Sequence, residues 1–213
     1  QGLFDWSLTP HMDVSLLLLI LALAGYVFQV RDERRRVGLL ATYLGHYQIE
    51  QLMATLTEGY MRALGETDAA RQQQIWSMLG SAETALSEQF QKFVADFARV
   101  DEAAARVSKL PISIFYTGKW WPNSTFDLRK ALGVHAHGIS QAVANTSPQR
   151  SDRDKAFTVL AEIFLMQHTC HWYCKSLGVA SARLVMRHQT PYQKVLDSVA
   201  PDTRQAYTAL IAR

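Results

Sequence analysis

Residues 14–30 read VSLLLLILALAGYVFQV, seventeen positions without a charge. As a helix rising about 1.5 Å per residue this run is about 25 Å long, at the short end of what crosses a hydrocarbon core of about 30 Å. The pattern then changes. Leu40, Tyr43, Leu44, Tyr47, Leu52, Leu56, Tyr60 and Leu64 recur mostly at three- and four-residue steps. That is the period of an amphipathic helix, and it predicts that the first helix continues to about Gly65. A second stripe (Ile75, Trp76, Leu79, Leu86, Phe90, Phe93, Val94, Phe97) begins behind Thr67, a residue suited to an N-cap, so the two runs predict an antiparallel helical hairpin.

Residues 111–123 (PISIFYTGKWWPN) break the period with two prolines and a glycine and read as an ordered loop, its Trp120-Trp121 pair plugging the core. Ser124 with Asp127, and Ser151 with Asp154, match the S-x-x-D capping box ahead of helical patterns near 125–146 and 152–177. Gly178 suits a C-cap, and shorter helices are expected at 180–188, 191–199 and 201–212, with Pro191 and Pro201 near helix starts. No strand-period run or internal repeat stands out. The expected fold is all-α, with one N-terminal transmembrane helix and a multi-helix domain of a size that buries its own core.

Charge orients that anchor. Arg31, Arg34, Arg35 and Arg36 follow the apolar run and no Lys or Arg precedes it. A secretory signal would carry its basic residues in front. The positive-inside bias therefore places residues 31–213 in the cytoplasm and residues 1–13 outside, with the four arginines snorkelling at one interface and Phe4 and Trp6 suited to the other. Gln1-Gly2 reads as a protease-site scar and carries no weight. Lys and Arg number 22 and Asp and Glu 19, and only Asp5 and Asp13 fall within residues 1–30, so the remainder stands at +5. A bias this mild suits an acidic protein partner or anionic lipid and does not imply DNA binding.

The densest group of potential ligands is QHTCHWYC at residues 167–174, where Cys170, His171 and Cys174 share a helical sector with Leu160, Ile163 and Phe164. Since the sector coincides with an apolar stripe and no C-x-x-C pair occurs, core packing of reduced thiols is expected, with no metal and no cofactor. His46 and Glu50, four apart, lack the paired Glu-x-x-His of di-iron bundles. No Walker A, G-x-S-x-G, G-x-G-x-x-G or H-E-x-x-H sequence is present, which argues against the enzyme classes those motifs serve. Arg183, Arg187 and Lys194, with His188 among them, crowd a stretch without an acidic residue until Asp197, and Lys119, Arg129 and Lys130 form a second basic group. These six form the candidate binding surface, since guanidinium forks bind carboxylates well.

Two stretches carry a family resemblance. FYTGKWWPNSTFDLRKAL at 115–132 and AFTVLAEIFLMQHTCHWYCKSLGVASARLVMRHQTPYQKVLDSV at 156–199 resemble the DotM (IcmP) and TrbA proteins of Dot/Icm-type secretion and IncI-type conjugation systems. The shared order is a Gly, a Trp and a loop before a helix ending in basic-Ala-Leu, then a long helix, a Gly-Val turn and an aromatic-x-x-Leu segment. Here one anchor replaces the usual pair. The resemblance implies a non-enzymatic, single-pass subunit of a type IV coupling complex in a bacterial inner membrane. Its partners would be other inner-membrane secretion subunits and acidic protein substrates, with no direct contact to nucleic acid. The alternative is a membrane-tethered regulatory or exclusion protein of a conjugative element that contacts another inner-membrane protein.

Overall fold

The computed structural model describes residues 9–109, 124–145 and 150–212. Phe4, Trp6, Lys119 and the Trp120-Trp121 pair lie outside them. Helix α1 (Thr9–Leu44) is 36 residues long. From Val14 to Phe28 all its side chains are exposed, unlike those of a core helix. It is long and apolar enough to cross a membrane, with mean hydropathy 2.0 in its most apolar window.

Docking onto the remaining helices begins about one turn beyond that run. Arg36 donates through Nε to Asp32 Oδ2 (2.7 Å) and through Nη1 to the carbonyls of Arg106 (3.2 Å) and Tyr173 (3.3 Å), with its guanidinium over the Tyr173 ring. Lys175 pairs with Glu33. Arg31, Arg34 and Arg35 are exposed, whereas Arg36, expected from the sequence to snorkel with them, is engaged by the domain and fastens α1 to it.

The first helix does not run on to Gly65. It stops at Leu44, the chain turns through residues 45–48, and α2 (Ile49–Gly65) starts. Gly45 weakens helical continuation. The turn is then held by the Tyr47 hydroxyl, which donates to Asp96 Oδ2 (2.5 Å), and by the Gln48 N–H, which donates to Gln89 Oε1 (2.7 Å). Periodicity could not reveal this break, because the apolar positions on both sides face the same core. Helix α3 (Ala69–Phe97) returns antiparallel, capped by Asp68 rather than Thr67: the Asp68 carboxylate accepts from Arg71 N. The hairpin buries Leu56, Tyr60 and Ala63 against Leu79, Leu86, Phe90, Phe93 and Phe97.

Two three-residue strands follow, contrary to the sequence expectation. β1 (Arg106–Ser108) pairs antiparallel with β2 (Thr125–Asp127), Val107 opposite Phe126. Three residues are too few for an alternation to show. Phe126 meets Trp172 edge to face at 4.9 Å, and the Trp172 indole donates to Ser108 O (2.8 Å). With Thr125 and Phe126 in a strand, Ser124 cannot cap the next helix. Asp127 does so instead, for α4 (Leu128–Ala144), which ends on left-handed Asn145. About 82% of the described residues are helical, so the all-α reading holds.

The second capping box is present: Ser151 Oγ accepts from Asp154 N (3.1 Å) at the start of α5 (Asp152–Cys174). Gly178 is not a C-cap. It lies in the first turn of α6 (Leu177–His188), which Ser176 caps. Helices α7 (Tyr192–Ser198) and α8 (Pro201–Ile211) complete the domain, Pro201 serving as N1. Helix α5 is the centre of the domain. Its contacts with α1, α2, α4, α6, α7 and β1 bury residues around its circumference, including Val159, Ile163, Leu165, Met166, Thr169, Trp172 and Tyr173. A single apolar sector was therefore too narrow a reading of this helix.

Candidate functional site: a groove with two charged rims

The site is assembled by the end of α5 and the whole of α6. Ala180 and Leu184 bury one face of α6, which turns Arg183 and Arg187, four apart, outward. His171, in the last turn of α5, meets them: Arg183 Nη1 lies 3.2 Å from His171 Nδ1. A guanidinium only donates, so His171 accepts there and is neutral. Burial lowers its pKa first, then the charges of Arg183, Arg187 and His188. His188 stacks on Phe164 at 3.8 Å, its pKa lowered by burial and by Arg187. Among the described residues no carboxylate lies within ion-pair distance of Arg183 or Arg187. The cluster is an uncompensated positive rim.

That rim borders a groove of about 570 Å³ between α1, α2 and α3 on one side and α5 and α6 on the other. Its floor is apolar: Leu40, Ile49, Met53, Phe90, Phe93 and Met166. The far rim carries Glu50 and Glu58 of α2, both exposed. Gln167 Nε2 reaches Met53 Sδ (3.7 Å) and ties the two walls together. A second pocket of about 370 Å³ around His168, Leu184 and Met186 adjoins it through His171, Arg183 and Arg187.

The cysteines belong to the packing of the domain. Cys170 Sγ contacts Met166 Sδ at 3.9 Å, and burial pushes its thiol well above the ordinary value; the Cys174 thiol is pushed up to about 11, again by burial. Among the described residues no three His, Cys, Asp or Glu side chains converge as a metal-holding group.

Of the six basic residues named from the sequence, the five within the described residues do not form one surface. Arg183 and Arg187 line the groove, whereas Lys194 on α7 and Lys130 on α4 are exposed but do not border it. Arg129 is committed internally, contrary to expectation: it donates to Asp127 Oδ2 (2.7 Å) and to the Val100 carbonyl (3.1 Å) and pairs with Glu102. An arginine two residues after an N-cap Asp is placed to share that carboxylate, which removes it from any docking face. Sequence reasoning missed His171, Glu50 and Glu58 as rim residues. Glu50, Met53, Ala54, Thr57 and Glu58 follow the three- and four-residue steps of one helix face, but nothing local says that this face stands opposite α6.

No protein-family model matches this chain, and no curated protein and no solved structure is significantly similar to it.

Proposed function

We propose that the chain is a non-enzymatic, membrane-tethered docking subunit whose helical domain holds an acidic segment of a partner protein at the His171–Arg183–Arg187–His188 rim. One observation carries the reading: His171, Arg183, Arg187 and His188 cluster where α5 meets α6, and among the described residues no carboxylate lies within ion-pair distance of either arginine. Carboxylates supply what such a rim lacks, and guanidinium groups bind them with charge-assisted, bidentate hydrogen bonds. The likeness to DotM and TrbA adds the setting, a type IV secretion or conjugation coupling complex in a bacterial inner membrane. The arginine-rich flank of the apolar run supports a cytoplasmic location for the rim through the positive-inside bias.

The test is binding of a Glu-rich peptide by the full chain in detergent, across a salt titration. Arg183→Glu with Arg187→Glu should weaken binding by about tenfold or more and flatten the salt dependence. The fold should survive, since exposed substitutions change stability by about 0.5 kcal/mol or less. Unchanged affinity across the titration overturns the reading. Recovery of a coupling ATPase with the chain from native membranes supports the secretion setting, whereas recovery of one other membrane protein alone favours the regulatory or exclusion role.

A further inference from the structure

The acidic segment that the proposed function calls for has no shape assigned to it, and the groove supplies one. We infer that its occupant is an amphipathic α-helix of the partner, acidic along one edge and basic along the other, with its apolar stripe seated on the floor. The inference rests on the docking reading for its acidic edge and goes beyond it for the rest.

Three features support it. The floor of Leu40, Ile49, Met53, Phe90, Phe93 and Met166 would accept apolar side chains, and about 570 Å³ is of a size that takes the face of one element. Helices α1, α2, α3, α5 and α6 supply every wall, so an extended segment would find no strand edge and would leave its own N–H and C=O groups unmet over an apolar floor; a helix satisfies its backbone internally. Finally, the two walls differ in sign, with Arg183 and Arg187 on α6 and Glu50 and Glu58 on α2 all lining the groove. A wholly acidic ligand, or an anionic lipid, would satisfy the first rim and be repelled by the second, whereas a helix with two charged edges satisfies both and is held in one direction. The lipid is also distant: Val37 and Leu44, which bound the groove, lie about 10 to 20 Å beyond the end of the apolar run if the helix runs straight inward at about 1.5 Å per residue.

The experiment compares two synthetic helices with one apolar stripe, titrated into the full chain in detergent. One has an acidic and a basic edge; the other is acidic on both. The first should bind at least about tenfold more tightly, and in the Glu50→Lys, Glu58→Lys variant the order should reverse. Ala54→Trp, which fills the exposed side of the groove, should weaken both peptides. Equal binding of the two peptides in the unmodified chain and in the Glu50/Glu58 variant overturns the two-edged helix. If acidic binding still depends on Arg183 and Arg187 in that case, the docking function survives without it. If neither peptide responds to the arginine reversal, the docking function itself has failed. Uptake of phosphatidylglycerol from vesicles that Ala54→Trp abolishes, with no peptide binding, would assign the groove to lipid and overturn the inference.

Discussion

Side chains buried between α4, α5 and α8 make the domain sensitive to pH in two opposing ways. Thr169 Oγ1 donates to Leu165 O (3.0 Å) and so has no proton left for its other neighbours; His135 Nε2 (2.9 Å) and the Tyr207 hydroxyl (2.9 Å) must both donate to it. His135 is neutral, its pKa lowered by burial to about 3, and burial takes His168, which sits instead against Ser181 of α6 and Tyr192 of α7, to about 4. The unfolded chain would protonate both near 6.5. Stability should therefore fall as pH drops from about 6.5 to 4, each histidine contributing a slope of up to about 1.4 kcal/mol per pH unit. Glu162 works the other way. Burial raises its pKa to about 7 although Ala200 N donates to it. Its stabilisation is full below the unfolded value of about 4.5 and is lost as pH rises through 7. Chemical unfolding from pH 4 to 8 should show His168→Gln reducing the acid slope and Glu162→Gln removing the loss toward neutrality. Unaltered slopes would contradict these assignments. At the groove, an acidic partner should bind more tightly as pH falls, because its carboxylates favour the protonated form of His171, whose pKa burial and then its cationic neighbours lower.

Helix against helix, α4 approaches its neighbours closely at Gly138. A Cβ there would come within 2.4 Å of Thr203 Oγ1 and 2.5 Å of Glu162 Oε2. Gly138→Ala should cost about 1 to 3 kcal/mol of unfolding free energy despite alanine's better helix propensity. Gly133→Ala, in open space five residues earlier on the same helix, should be neutral or stabilising by up to about 1 kcal/mol. Matching values for the two variants would mean that α4 does not press on α5 and α8 as described. Helix α3 is joined to α5 by Lys155, which pairs with buried Glu83, itself accepting from the Tyr60 hydroxyl (2.5 Å). Lys155→Met leaves that carboxylate without its cation and should cost on the order of 3 kcal/mol; adding Glu83→Gln should restore part of it in a double-mutant cycle.

Across the whole molecule, the arginines after the apolar run divide by role. Arg31, Arg34 and Arg35 are exposed, while Arg36 is fixed to two carbonyls of the domain. Reversing the first three to Glu should disturb membrane orientation, read by reporters fused after Arg213, and leave domain stability unchanged. Arg36→Ala should leave orientation unchanged and cost about 1.5 to 3 kcal/mol, the usual range for hydrogen bonds to a charged group. The opposite pattern would overturn the division.

Local pattern was enough to determine the apolar run, the hairpin of α2 and α3, the Ser151 cap and the order of the C-terminal helices, because each depends on spacing within a few turns. It marked Arg183 and Arg187 as basic residues in an acid-free stretch, but not that they would meet His171 and border a groove. The break at 45–48, the β1–β2 pair and the internal use of Arg36 and Arg129 depend on partners far along the chain: Asp96 and Gln89, Phe126 opposite Val107, the carbonyls of Arg106, Tyr173 and Val100. Composition alone cannot tell a solvated cation from one already paired. Only the tertiary structure set Glu50 and Glu58 across an apolar floor from Arg183 and Arg187, since the sign of each rim is local to its helix while their separation is set by how α1, α2 and α3 pack against α5 and α6.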